Sequence, residues 1–223
     1  QFYSARFVAR DSRYAINGVL LHQSDNDLRM VATNGHRLAV ATGSCEGGSG
    51  ERNCIVPVKA MTLLRRLLTD GDATVSVTLE EGRVVFRIED EAGGVSVLTS
   101  NLVEGTFPPF EDVIPKDLDR KVTLSTDALE RGIRRAALLT SEDSRGVRMV
   151  FGDGRLLVTS RSPEMGEAEV EIPLDGFDGE PLEIGFNPAY IVDALKVVGA
   201  DEITFEMKRG DKPGVFRVGS DFV

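Results

Sequence analysis

DATVSVTLEEGRVVFRI at 72–88 and ADEITFEMKRGDKPGVFRV at 200–218 follow one pattern. Each opens with a β-rich run, turns on a glycine and closes on Phe-Arg-Ile or Phe-Arg-Val. Short runs of β-branched and aromatic residues suit a pleated, half-buried strand, and glycine supplies the turn. A helix-like stretch precedes each, VKAMTLLRRLL at 58–68 and PAYIVDALKVV at 188–198, so the second copy lies 188 − 58 = 130 residues on. Further upstream, SRYAINGVLL at 12–21 has a weaker counterpart in DSRGVRMVF at 143–151, with Gly18 answering to Gly146 at 146 − 18 = 128. Helical stretches around 2–10 and 126–140 stand ahead of these two. Several features at nearly one offset mark a duplication. The reading is two copies of one domain, 1–116 and 117–223, with the polar, Pro-led segment PKDLDRK at 115–121 as linker. The expected fold class is α+β: tandem domains of antiparallel sheets, each with two helices on one face.

Strands are expected at 28–33, 37–42, 73–79, 83–90 and 94–100 in the first copy. In the second they are expected at 121–126, 147–152, 155–160, 167–173 and 202–207. Gly152-Asp153-Gly154 reads as a hairpin, and Asn34-Gly35 as a two-residue hairpin turn of type I′. Asn187 followed by Pro188 is a helix start, with the asparagine as N-cap and the proline at the first helical position.

The 223 residues carry 26 Lys and Arg against 36 Asp and Glu, a net charge of −10. Bulk charge therefore does not attract a polyanion, although a local basic surface still can. No apolar run approaches the roughly 18 residues that span a bilayer, and no signal-peptide layout is present. The sequence opens at Gln1 without an initiator methionine, which leads us to expect a fragment or a trimmed chain. Cys45 and Cys54, the two cysteines, read as free cytosolic thiols.

The four helical stretches contain Arg6, Arg10, Lys59, Arg65, Arg66, Arg131, Arg134, Arg135 and Lys196 against Asp127, Glu130 and Asp193, a sum of 9 − 3 = +6. The rest of the chain must then sum to −10 − 6 = −16. In 58–68 the apolar stripe is Met61, Leu64 and Leu68, with Lys59, Thr62 and Arg66 on another face; in 126–140 it is Leu129, Ile133 and Ala136, with the arginines facing away. A layer of such helices makes a basic surface suited to phosphates, without sequence reading. The search for catalysis returns little. His22 and His36 have no partners at ligand spacing, and there is no nucleophile elbow or phosphate loop.

Five motifs then carry a resemblance. VATNGHRLAV at 31–40 is similar to the "ATDGHRLA" signature of the bacterial DNA polymerase III beta subunit, the sliding clamp. SRYAINGVLL at 12–21, EGTFPPFEDVIP at 104–115, SRGVRM at 144–149 and IGFNPAYIVDAL at 184–195 fit the family in order and spacing over the whole chain. The resemblance implies the second and third of three domain copies, with the first copy absent and the last strand with its Met-Pro segment missing. It implies helices on the inner face of a ring of six copies that two full-length subunits close around duplex DNA. It also implies a non-catalytic processivity factor, cytoplasmic and nucleoid-associated, without cofactor or membrane partner.

Carried over residue by residue, the family's hydrophobic peptide cleft corresponds to Ile16, Thr33, Gly35, His36, Arg37, Leu38, Pro108 and Val113 with Asn187 and Tyr190. Such a cleft takes linear motifs of the replicative polymerase alpha subunit, the clamp loader, other polymerases and repair proteins. Asp112 and Phe110 depart from the Arg and Tyr that many members carry there. The DNA-facing candidates are Arg10, Arg13, Tyr14, Lys59, Arg66, Arg131 and Arg134; the homodimer-interface candidates are Leu138, Leu139, Glu164, Glu167 and Glu169. Two alternatives stay open. One is a peptide-docking scaffold with no DNA role, the other an acid–base hydrolase built on His36 with nearby carboxylates.

Overall fold

The computed structural model describes residues 17–68, 73–89, 93–140, 146–174, 176–177, 180–219 and 221–222. The chain divides into two compact units, Gln1–Phe110 and Glu111–Val223. The sequence reading sets the division six residues later, at 116/117.

Unit two is written as strand, helix and three strands, twice. The first half is β8 (Arg120–Ser125), α2 (Thr126–Ala137), β9 (Val147–Gly152), β10 (Arg155–Ser162) and β11 (Gly166–Pro173). The second half is β12 (Leu182–Phe186), α3 (Pro188–Leu195), β13 (Glu202–Met207), β14 (Val215–Val218) and β15 (Asp221–Phe222). Its strands are ordered β11-β10-β9-β12 and β15-β14-β13-β8, antiparallel throughout. Each half thus lends its first strand to the other half's sheet: β12 pairs with β9, and β8 with β13.

Unit one repeats this plan. β1 (Gly18–Ser24), β2 (Asp27–Thr33) and β3 (Leu38–Ser44) answer to β9, β10 and β11. β4 (Glu51–Pro57), α1 (Val58–Leu67), β5 (Thr74–Glu80), β6 (Arg83–Glu89) and β7 (Val95–Asn101) answer to the second half of unit two. β4 pairs with β1 as β12 pairs with β9, giving the order β4-β1-β2-β3 beside a three-stranded β5-β6-β7. The duplication read from the sequence is therefore also a duplication of topology.

In unit two α2 lies on β10 and β11 and against α3. Leu129, Ile133 and Ala136 are fully buried, as the spacing predicts. The helix comes close to the sheet because position 132 is glycine: a Cβ there would lie 2.5 Å from Ile172 Cδ1. Ser125 caps the helix by accepting the Ala128 N–H at 3.3 Å, and the buried Ser160 hydroxyl donates to the Ala136 carbonyl at 2.6 Å, where an end carbonyl needs a donor. Phe205 stacks on Phe216 at 4.5 Å and meets Phe151 at 5.5 Å, at the centre of the core. In unit one Met61 and Leu64 of α1 are buried, joined by Ala60; Leu68, expected in that stripe, is half-buried beyond the helix end.

Two helices end early. The stretch 126–140 is helical to Ala137, and 188–198 to Leu195. The expected helix at 2–10 lies outside the described residues. The Asp153-Gly154 turn has φ of 51° and 71°, the two positive values a type I′ hairpin requires.

Candidate functional site

Asn34-Gly35 is not a two-residue type I′ turn. Thr33 pairs with Leu38, so the loop has four residues, and only Gly35 has positive φ, at +85°. The asparagine acts through its side chain instead: Asn34 Oδ1 accepts the N–H groups of His36 and Arg37, each at 3.1 Å. The Thr33 hydroxyl donates to the Arg37 carbonyl at 2.9 Å and accepts the Gly35 N–H at 3.1 Å. These bonds hold Thr33, Gly35, His36, Arg37 and Leu38 as one preset loop on the β2–β3 hairpin. Gly35 and His36 are exposed; Thr33, Arg37 and Leu38 are half-buried. A rigid loop presents a ring, a guanidinium and a leucine together at little further ordering cost.

Of the other peptide-site candidates in unit one, Pro108 is exposed in the segment following β7, and Ile16 lies outside the described residues. Phe110 is buried, its ring edge-on to His22 at 6.5 Å. In unit two Val113 is 63% exposed in a short 3-10 turn, Phe110–Val113. Asn187 caps α3 as expected, its Oδ1 accepting the Ala189 N–H at 3.0 Å with Pro188 at the helix start. Tyr190 is half-buried one turn further on.

Among the DNA-facing candidates Lys59, Arg66, Arg131 and Arg134 are exposed on their helices. α1 carries three cations and no anion, whereas α2 carries Arg131, Arg134 and Arg135 against Asp127 and Glu130, or 3 − 2 = +1. Arg131 reaches Asp127 at 2.6 Å and Arg134 reaches Glu130 at 2.6 Å, both one turn back. The sequence shows these charges but not their pairing. Arg10, Arg13 and Tyr14 lie outside the described residues.

The interface candidates sit at one border of unit two. Leu138 caps the end of α2 and is 74% exposed, the most exposed of the large apolar side chains described; Leu139 is half-buried. β11 is the outermost strand of its sheet and carries Glu167 and Glu169 exposed; Glu164 falls in the turn before it, not on the strand. A shallow pocket of about 500 Å³ opens beside this strand, lined by Arg148, Thr159, Arg161, Glu167 and Glu169 among others. Arg161 pairs with Glu167 at 3.2 Å and Arg148 with Glu183 at 2.6 Å.

Among the described residues no group of three or more His, Cys, Asp and Glu side chains could hold a metal ion, and no helix is long and apolar enough to cross a membrane. Cys45 and Cys54 are free thiols. His36 stands on the exposed hairpin loop, and the His22 Nδ1–H donates to Asn53 Oδ1 at 2.6 Å, with Glu51 at 3.9 Å.

Two consecutive copies of one α+β unit, each built from antiparallel sheets and helices with exposed cations on α1 and α2, define a tandem of sliding-clamp domains. Comparison with known proteins agrees. Residues 5–109 match the central domain of the DNA polymerase III beta subunit, and residues 111–222 its C-terminal domain. The chain belongs to that family. It is 40% identical over 195 residues to the beta sliding clamp of Pseudomonas putida, covering 87% of this chain and 52% of that protein. Against the beta sliding clamp of Escherichia coli K12 the figures are 35% over 194 residues, 87% and 51%. The chain thus spans about half the length of the curated relatives it matches. A crystal structure of the Pseudomonas aeruginosa DNA polymerase sliding clamp with ligand superposes with a TM-score of 0.89 at 33% identity, covering 98% of this chain and 60% of that one. The Bacillus subtilis clamp superposes equally well, at 0.89 and 26% identity, over 100% and 60%.

Proposed function

We propose that this chain is the central and C-terminal part of a DNA sliding clamp, the non-catalytic processivity subunit of a DNA polymerase III holoenzyme. The observation that carries the reading is the match of both units, in order and over nearly the whole chain, to consecutive domains of one family. In the full-length protein two subunits close a cytoplasmic, nucleoid-associated ring around duplex DNA. The lining is Arg10, Arg13, Tyr14, Lys59, Arg66, Arg131 and Arg134. Topological enclosure removes the need for tight contact, so weak phosphate attraction holds the ring while leaving it free to slide. The net charge of −10 keeps the exterior from binding nucleic acid elsewhere.

Peptide motifs of the polymerase alpha subunit, the clamp loader and repair proteins dock on Ile16, Thr33, Gly35, His36, Arg37, Leu38, Pro108, Val113, Asn187 and Tyr190. The preset Thr33–Leu38 loop supports this role, because side chains already fixed in place lose little entropy on binding. Dimer closure uses Leu138 and Leu139 with Glu164, Glu167 and Glu169. Exchanging Arg66, Arg131 and Arg134 for glutamate in the full-length protein tests the lining. Processivity and retention on circular DNA should fall, most at low salt, while motif-peptide affinity stays as it was. Unchanged retention defeats the lining and leaves the peptide-docking scaffold.

A further inference from the structure

Among the described residues three polar side chains are buried, Thr126, Ser160 and Ser162. A buried hydroxyl costs free energy unless it is bonded, so each needs a partner. Thr126 holds the start of α2, donating to the Ala200 carbonyl at 2.8 Å. Ser160 holds its end, donating to the Ala136 carbonyl at 2.6 Å. Ser162 accepts the Met165 N–H at 3.4 Å, in the turn that carries Glu164. The duplication shows that the fold alone does not require Ser160. Asp25 and Asp153 answer to each other at 153 − 25 = 128, and both have positive φ, 49° and 51°. At the same offset Ser160 answers to Ala32, 160 − 32 = 128, and Ala32 is fully buried. In unit one an alanine fills the place with no hydroxyl.

What is particular to Ser160 is the segment that follows its acceptor. Beyond Ala137 the helix tightens into bonds reaching three residues back. The Leu138 N–H donates to the Arg135 carbonyl at 3.3 Å, Leu139 to Ala136 at 3.3 Å and Thr140 to Ala137 at 3.2 Å. The Ala136 carbonyl therefore accepts twice, from Leu139 and from Ser160, and is fixed from the strand as well as from the helix. The Thr140 hydroxyl adds a bond to the Ala137 carbonyl at 2.8 Å. Across this one tight turn the chain passes from Ala136, fully buried, to Leu138, 74% exposed. We propose that Ser160 is a positioning residue for ring closure, its hydroxyl setting the last turn of α2 so that Leu138 stands where the partner subunit meets it. The inference rests on the proposed interface role of Leu138. Ser160 is itself 6% exposed and acts only through the Ala136 carbonyl. Without that bond the turn is less ordered, and closure has to order it at a cost in affinity.

A double-mutant cycle in the full-length protein tests this, with the dimer dissociation constant read by sedimentation. Ser160→Ala folds, because Ala32 already occupies the corresponding place. It should weaken the parent dimer about tenfold, and the Leu138→Ala dimer less than about twofold, since the serine acts through Leu138. Val158→Ala, which empties a fully buried position on the same strand, should lower the thermal midpoint at least as far yet leave the dimer constant within about twofold. Three results overturn the proposal: a dimer constant unchanged by Ser160→Ala; the same loss in the Leu138→Ala background as in the parent; or an equal loss from Val158→Ala. Leu138→Ala with the dimer constant of the parent is a different failure, that of the interface reading, and takes the proposal with it.

Discussion

Cys54 lies in β4 opposite Leu21, 7% exposed, and burial pushes its thiol up from 9.0 to about 11. The thiolate is the reactive form, so a rise of this size lowers its population about a hundredfold at neutral pH. At pH 8 a thiol reagent should label half-buried Cys45 promptly and Cys54 at least about tenfold more slowly, with denaturant equalising the two. Equal rates in the folded protein would contradict the burial. The sign of the pH effect follows. Above pH 9 the unfolded thiol ionises while the folded one keeps its proton to about 11, so Cys54 lowers stability progressively across that window. At this same scale the sequence is read well for identity and poorly for geometry. Asn187 capping next to Pro188 was legible because both residues have one strong local role there. Asn34-Gly35 was not, because asparagine can reach positive φ or bond through its side chain, and Thr33 and the Arg37 carbonyl decide for the second.

The helix α2 combines a buried stripe with a face whose arginines are partly engaged. Asp127 and Glu130 stand four residues ahead of Arg131 and Arg134, the favourable order for a helical ion pair. Such exposed pairs add little stability, but a phosphate must compete with each carboxylate for its arginine. Replacing Asp127→Asn and Glu130→Gln takes α2 from +1 to +3. In the full-length protein we expect tighter DNA association by a few-fold, with a salt slope steeper by roughly one to two, and slower sliding. An unchanged salt slope would place α2 away from the phosphates. Among elements, those between turn signals were legible: β5 to β6 across Glu81-Gly82, and β9 to β10 across Asp153-Gly154. β1, β4 and β12 were not. β4 opens on the exposed polar residues Glu51-Arg52-Asn53, and β12 is a five-residue run interrupted by Gly185, so neither shows an unbroken β-rich run. The finer repeat inside each unit was hidden for the same reason.

For the whole molecule, Leu138 makes the sharpest distinction between a role in folding and a role in assembly. At 74% exposure it contributes little to the core of unit two, so Leu138→Lys should leave the thermal midpoint within a few degrees. On the proposed ring closure, the same change in the full-length protein should shift sedimentation from dimer to monomer. A closed dimer retained by the variant would remove Leu138 from the interface. Charge was the clue at this scale that composition supplied directly, since cations gather on helices within a protein of net −10. The partners of those cations required coordinates.

The exchange of first strands between the halves of unit two also constrains how the chain is made. β8 leaves the ribosome early, yet its partner β13 begins 202 − 125 = 77 residues later. Until then β8 has no ladder to join, and the sheet it completes depends on contacts distant in sequence, which fold slowly. Synthesis halted anywhere before Met207 should leave a nascent chain whose first half is exposed to chaperones and proteases, however well its own hairpins have formed.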